Sequence, residues 1–273
     1  MLPLSELACI AQQIKTAQDQ QLHLGLLTAQ HPGFDVSDAY AAGRMVHAAR
    51  LAEGARPVGR KIGFTNPAMW ARYGVGAPVW AYMYDSTVRH VAPASARCSL
   101  MRFVEPRIEP EIVFHFHSAP PPGGDLAALL ACIDWVAHGF EIVQSHFAGW
   151  KFQAPDAIAD GGLHGELLVG PPQPVESLGG GLQKNLEAFT LELLCDGEIR
   201  DVGTGANVLG SPLAALAHLV AVLAEQSPLQ PIQAHEIVTT GTLTGAYVLR
   251  PGQTWQTRLG GIGLPGLSVS FTE

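Results

Sequence analysis

Arg107-Ile108-Glu109-Pro110-Glu111-Ile112-Val113-Phe114-His115-Phe116-His117 alternates with a period of two. Ile108, Pro110, Ile112, Phe114 and Phe116 are apolar, while Arg107, Glu109, Glu111, His115 and His117 are polar or ionisable, with Val113 the exception. That pattern predicts a β-strand with one face in a core and the other presenting functional groups. Glu109 and Glu111 fall on the same side, with Cα atoms about 6.6 Å apart at the usual strand rise. Two such carboxylates either converge on a cation or repel each other unless something positive lies between them.

Two further stretches bear on that choice. Residues 133–145 read as a second apolar strand, in which Phe140 and Ile142 point one way and Glu141, Val143 and Ser145 the other. A carboxylate is seldom placed in such a strand without a partner. In 58–65, Lys61 shares its strand face with Gly59 and Gly63. One long cation on a bare face suits a pocket wall where a ligand lies close to the backbone, and the competing reading is an exposed lysine on an edge strand. Glu109-Pro110-Glu111 alone reads more readily as surface acids, and Glu141 with Lys61 reverses that weighting. Three oxygen ligands without cysteine favour a hard dication, Mg²⁺, Mn²⁺ or Ca²⁺. Bound through one oxygen each, they fill at most half of an octahedral shell and leave room for water or a chelating substrate. Three carboxylates and a dication leave a net negative charge, which Lys61 would offset for an acidic substrate. His115 stands about 13 Å from Glu111, too far to share its metal. His115 and His117 therefore read as sheet-surface or interface residues. Asp85 closes the aromatic stretch 78–85, either as the cap of the following turn or as a site acid.

The rest of the chain frames these strands. Helices are expected over 3–20, from an N-cap at Ser37 to about Gly54, over 125–132 with Asp125 as cap, and over 212–225 after Ser211. Residues 66–76 read as a short helix or loop, and 149–166 as a loop of binding-site composition. Strands are expected at 166–170, at 189–195 with a hairpin through Asp196-Gly197 into 198–202, and at 236–240, 246–249, 254–259 and 267–272. This is an α+β pattern, with a helical N-terminal unit at 1–56 and a curled, mainly antiparallel sheet domain at 57–273. Charged residues are 15% of the 273, well below the usual quarter, so part of the exterior is expected to be buried in a homo-oligomer. The net charge of -8 argues against non-specific binding to nucleic acid or an anionic membrane. Attraction of an acidic substrate must then be local. The four scattered cysteines have no zinc-ligand spacing, and no secretory signal or run of eighteen apolar residues is evident, so a reducing cytoplasm is expected.

Taken in order, Gly59-Arg60-Lys61-Ile62-Gly63-Phe64-Thr65-Asn66-Pro67, Arg107-Ile108-Glu109-Pro110-Glu111-Ile112, Phe140-Glu141-Ile142-Val143, Val208-Leu209-Gly210-Ser211-Pro212-Leu213 and Thr240-Gly241-Thr242-Leu243-Thr244-Gly245 resemble the fumarylacetoacetate hydrolase superfamily. The branch they resemble is that of the 2-keto-4-pentenoate hydratases and 4-oxalocrotonate decarboxylases of aromatic degradation, over nearly the whole chain. The resemblance implies a mixed, mainly antiparallel β-roll (fumarylacetoacetase-like), a homo-oligomer, and Mg²⁺ or Mn²⁺ held by Glu109, Glu111 and Glu141. It implies Lys61 as an acid/base or anion-holding group, its pKa lowered by the nearby dication, and Asp85 as a second pocket acid sharing the proton relay. The implied substrate is a short 2-oxo or 2-hydroxydienoic acid, with hydration of 2-keto-4-pentenoate (2-hydroxypenta-2,4-dienoate) the first reading. Decarboxylation of a 4-oxalocrotonate-type acid is the alternative, as is C–C hydrolysis of an acylpyruvate with water activated by a residue such as His31 or His47. Outside enzymes, the alternative is a non-catalytic assembly protein that has kept the fold. The chain departs from the hydratases at Ser211-Pro212, where they carry His-Pro, and at Asp160-Gly161-Gly162-Leu163, where they tend to carry Asp-Asn-Ala-Ser.

Overall fold

The period-two stretch forms the strand Arg107–Phe116, paired antiparallel with Ile133–Val143 along its whole length. The computed structural model describes residues 1–67, 70–73, 76–92, 94–226 and 231–273. These two strands lie in the middle of a nine-stranded sheet ordered Val79–Tyr84, Pro57–Gly63, Ile237–Thr239, Arg107–Phe116, Ile133–Val143, His164–Val169, Val88–His90, with Tyr247–Val248 and Gln173–Pro174 pairing on its two central strands. A second sheet of five strands runs Glu198–Thr204, Thr190–Cys195, Thr254–Gly260, Ser268–Thr272, Ser95–Ser99. Most pairs are antiparallel. Pro57–Gly63 with Ile237–Thr239, Val88–His90 with His164–Val169, and Ser95–Ser99 with Ser268–Thr272 are parallel.

Both faces of the long strand are covered at its centre. Ile108, Ile112, Phe114 and Phe116 enter the main core with Phe140, Ile142, Leu193 and Trp255. Val113 packs on the other side with Met83, Ala137 and Leu167. Each large apolar side chain so buried contributes about 1.5–3 kcal/mol relative to exposure. The odd face is thus an interior face at its centre, where Glu111 is held out of water and Glu109 is partly exposed. The helix Pro212–Gln226 supplies Leu213, Leu216, Leu219 and Leu223 to the main core. Its surroundings, Gly205–Glu225, are long and apolar enough to cross a membrane by composition. The packing of its leucines accounts for that character in a protein core.

The helices Leu4–Gln20 and Val36–Ala52 bury Leu7, Ile10, Ile14, Ala39, Ala42 and Val46 in a separate cluster with Phe147 and Ile158. The N-cap of the second is Asp35, whose carboxylate accepts the Asp38 N–H at 3.0 Å, and not Ser37, whose hydroxyl donates to Asp35. The carboxylate two residues upstream can reach the orphan N–H three residues on, which is the geometry a cap requires. Asp125 and Ser211 cap as expected.

Residues 149–166 are more ordered than a loop. Ala154–Ala159 is a helix closed by a capping box between Gln153 and Asp156, and His164–Val169 begins the next strand. Asp156 also accepts from the backbone and hydroxyl of Thr28, tying this segment to the N-terminal helices. Within 66–76, Trp70–Tyr73 is helical, and 68–69 and 74–75 lie outside the described residues. The expected strands at 236–240 and 246–249 shorten to Ile237–Thr239 and Tyr247–Val248.

Candidate metal centre

Register brings the acids together. Glu109 faces Glu141 directly across the antiparallel pair, and Glu111 is one pleat further along. One oxygen from each of Glu109, Glu111 and Glu141 lies within 4.8 Å of the other two. Glu111 and Glu141 are fully buried, and Glu109 is partly exposed toward a small cavity of about 60 Å³.

The two buried carboxylates are each pinned by one oxygen. Glu111 Oε2 accepts the Gly241 N–H at 2.9 Å. Gly241 sits at φ +91, and a Cβ there would come within 2.0 Å of Thr65 Oγ1, so only glycine brings this N–H so close. Glu141 Oε1 is 2.7 Å from His164 Nδ1. The other oxygens, Glu111 Oε1 and Glu141 Oε2, are buried without a hydrogen bond. A buried carboxylate oxygen without a hydrogen bond is costly, and of the two only Glu141 Oε2 has an ion-pair partner, Lys61. Their presence beside Glu109 fits a hard dication, which prefers oxygen donors and would satisfy both.

Lys61 completes the cluster. Its Nζ lies 3.2 Å from Glu141 Oε2 and donates to the Gly162 carbonyl at 2.9 Å. The glycines that flank its path are functional space: a Cβ on Gly162 would stand 3.0 Å from Lys61 Cδ, and one on Gly63 would stand 3.2 Å from Nζ. The turn that aims the Gly162 carbonyl is left-handed over three residues, Gly161, Gly162 and Leu163, at φ 63, 64 and 65. Leu163, Phe64 and Trp150 are non-glycine residues with positive φ, and all three line the small cavity. Such backbone strain persists where surrounding packing enforces it, commonly at functional sites.

The electrostatics follow from burial and crowding. Burial pushes the Glu109 carboxyl up to about 7, against the pull of Lys61. Burial and the Glu141 charge push Glu111 well above the ordinary range. Burial also opposes ionisation of Glu141, but Lys61 and His164 outweigh it and hold this carboxyl down at about 2. For Lys61, burial acts to lower the pKa, and Glu141, Glu109 and Glu111 together raise it above the ordinary value. The expected lowering by a dication is thus reversed when carboxylates alone surround the amine, which holds it as an ammonium.

Asp85 is not brought to this cluster. It lies in the turn after Val79–Tyr84, where its carboxylate accepts from the Arg56 backbone N–H at 3.2 Å and from Arg56 Nε at 2.8 Å. It lines a second, larger cavity of about 600 Å³ with Thr87 and His164, and that cavity contains none of the three acids. The chemistry therefore marks the smaller cavity. Four histidines singled out by the sequence are engaged elsewhere: His31 with Glu6, His47 stacked on Tyr82 and bonded to Tyr84, His115 with Asp134 and stacked on Trp135, and His117 with the Ala131 carbonyl. His164, which contacts Glu141, is the residue of this cluster that strand periodicity alone did not single out. Its only sequence signal was an ionisable side chain in step with a strand next to Gly161-Gly162.

No protein-family model matches the chain. It is 30% identical over 261 residues to a 4-oxalocrotonate decarboxylase of Pseudomonas sp, covering 93% of this chain and 94% of the relative. The chain belongs to the hydratase and decarboxylase branch of the fumarylacetoacetate hydrolase superfamily. Within that branch it is 29% identical over 251 residues to a 2-hydroxyhexa-2,4-dienoate hydratase of Comamonas testosteroni, covering 92% of this chain and 91% of the relative. The superfamily fold is matched in a solved 4-oxalocrotonate decarboxylase from Pseudomonas putida G7, complexed with magnesium and adipate, at TM-score 0.89, 26% identity and 99% coverage of both chains.

Proposed function

We propose that this superfamily member is a divalent-metal-dependent lyase acting on a short 2-oxo or 2-hydroxydienoic acid. The observation that carries the reading is the pair of buried carboxylates, Glu111 and Glu141, each anchored through one oxygen and each with an oxygen within 4.8 Å of Glu109, beside Lys61. Glu109, Glu111 and Glu141 would hold Mg²⁺ or Mn²⁺. Bound there, the cation supplies Lewis acidity toward the carboxylate and 2-oxygen of a 2-oxo acid.

The protein's own groups do the rest. Lys61 Nζ donates to the Gly162 carbonyl at 2.9 Å and lies 3.2 Å from Glu141 Oε2, which aims it into the pocket as the acid/base group. Phe64, Trp150, Phe152 and Leu163 wall that pocket. In the decarboxylase reading, the C5–C6 bond of a 2-oxo-3-enedioate breaks, and CO₂ leaves. The electron pair forms the C4–C5 double bond, the existing double bond shifts to C2–C3, and Lys61 delivers its proton to the 2-oxygen. In the hydratase reading, the proton goes to the distal carbon of the dienol, and water adds to the resulting enone.

The decarboxylase reading is favoured by one feature of the pocket. Hydration needs a base for the attacking water as well as an acid. Among the described lining residues, the only carboxylate is Glu109, itself one of the tripod, and there is no histidine. Asp85, the acid that would have served the hydratase, faces Arg56 instead. The low charged fraction supports assembly of the enzyme as a homo-oligomer. A panel of 2-oxo-3-enedioates and 2-hydroxydienoates, incubated with Mg²⁺ or Mn²⁺, tests the reading through CO₂ release and ultraviolet absorbance. CO₂ from the enedioate with little hydration of the dienoate supports decarboxylation. The reverse ratio supports the hydratase. No turnover of either class overturns the lyase assignment.

A further inference from the structure

Glu111 and Glu141 are anchored by different means. Glu111 is held by a backbone N–H, which no side-chain substitution removes directly. Glu141 is held by the ring of His164. An ionised carboxylate only accepts, so the proton in that contact is on His164 Nδ1. The other ring nitrogen, Nε2, lies 2.9 Å from Thr87 Oγ1. Thr87 Oγ1 accepts the Tyr84 N–H at 3.2 Å and lies 3.2 Å from the Tyr84 carbonyl, to which its hydroxyl can donate. Glu141, His164 and Thr87 thus form a chain from the tripod to the wall of the 600 Å³ cavity, where Thr87 and His164 are lining residues. Both ends of the ring are fixed, so its plane and the position of Glu141 Oε1 are fixed with it.

From this geometry we infer that His164 is a positioning residue that keeps Glu141 a one-oxygen ligand and thereby biases the centre toward small octahedral cations over Ca²⁺. The inference rests on the metal reading of the tripod given above. With Oε1 committed to His164, Oε2 is the oxygen left beside Lys61. Mg²⁺ and Mn²⁺ are satisfied by one oxygen per carboxylate in a near-octahedral shell, with water or substrate in the remaining positions. Ca²⁺ takes six to eight oxygens and gains from carboxylates that bind through both. Releasing Oε1 would let Glu141 swing to a two-oxygen mode and would loosen the placement that the smaller ions need. Outer partners of this kind typically set about 10- to 100-fold of metal affinity.

The test compares metal-stripped wild type with His164→Ala, His164→Gln and Thr87→Val. Mn²⁺ is titrated with the free ion followed by electron paramagnetic resonance, and Mg²⁺ and Ca²⁺ are measured as competitors. His164→Ala is expected to weaken Mn²⁺ and Mg²⁺ about 10- to 100-fold while Ca²⁺ changes by less than about threefold. His164→Gln, which retains an N–H donor, is expected to recover part of the discrimination. Thr87→Val leaves the ring in place and is expected to move the ratio the same way by a smaller factor, which keeps the test open if His164→Ala does not fold. Equal losses for all three cations, the signature of a merely structural role, overturn the inference, and so does an unchanged ratio in every variant. Failure of wild type to bind any of the three ions would instead refute the metal reading itself.

Discussion

Glu109 and Glu141 stand opposite each other in the antiparallel register of Arg107–Phe116 and Ile133–Val143, with a partner glycine, Gly139, opposite Glu111. Side chains directly opposite on one face lie within about 5.5 Å at Cβ, so two like charges there destabilise the sheet unless neutralised. Nothing in the packing demands acids at these positions, since the neighbouring residues of both strands are apolar and buried. The arrangement stores repulsion that a dication relieves.

Glu111→Gln is expected to separate stability from metal binding. The amide oxygen can still accept the Gly241 N–H, and one like charge is removed from a buried cluster. Thermal unfolding of the stripped variant is expected at or above the wild-type temperature. The added stability from saturating Mn²⁺, about 2.7 kcal/mol at 100 times Kd for wild type, is expected to disappear. Retention of that increment would remove Glu111 from the ligand set.

Cation affinity is expected to rise with pH. In the cation-free site, Glu109 is pushed up to about 7 and Glu111 higher still, both by burial first. A dication requires them ionised, so at lower pH it competes with bound protons. Each displaced proton gives about a tenfold change in Kd per pH unit below the group's pKa. Mn²⁺ titrations at pH 6 and pH 8 are expected to show at least a tenfold tighter Kd at pH 8, with proton release visible as a buffer-dependent binding enthalpy.

Gly162→Ala probes the aim of Lys61. A methyl at this position meets Lys61 Cδ at 3.0 Å and must adopt φ +64, at a cost of about 1–2 kcal/mol. Turnover is expected to fall by more than tenfold while Mn²⁺ affinity changes little, because the carboxylates are untouched. A parallel loss of metal binding would show that the turn holds the tripod as well as the lysine.

Much of this centre was readable from residue order. Period-two alternation placed Glu109 and Glu111 on one face, and parity within 133–145 gave Glu141 the same status, because a strand's side-chain direction is fixed by its backbone. Lys61 was marked by the glycines on either side of it, whose need for space is a local property. The anchors were not readable in this way. The Gly241 N–H, the His164 ring and the Gly162 carbonyl arrive from strands and turns distant in the chain, and their positions depend on tertiary register. In the sequence Asp85 is open between a turn cap and a site acid, and the turn that follows pairs it with Arg56 on the wall of the larger cavity, away from the three acids. The segment 149–166 read as a loop because its helix is only Ala154–Ala159, too short for a periodic signal, and is set by the capping box at Gln153 and Asp156.

His138 gives the fold a pH limit of its own. It is fully buried between the Glu111 carbonyl, 3.0 Å from Nδ1, and Thr257 Oγ1, 2.8 Å from Nε2. Burial drives its pKa down to about 4 from 6.5. The unfolded chain therefore binds a proton that the folded chain refuses between those values. Stability from this group is full above pH 6.5 and is lost as pH falls toward 4, by about 3 kcal/mol in total. Urea unfolding at pH 7 and pH 4.5 is expected to show that loss in wild type and a smaller one in His138→Gln.

The central claim is that the three glutamates hold the cation on which turnover depends. It is tested by stripping the protein with EDTA, restoring Mn²⁺ in steps, and following substrate consumption and Mn²⁺ binding on the same samples. The account predicts no turnover in the stripped protein, recovery that tracks occupancy of one site with a single Kd, and loss of both signals in Glu141→Ala. Turnover that survives stripping, or Mn²⁺ binding that persists unchanged in Glu141→Ala, would contradict it.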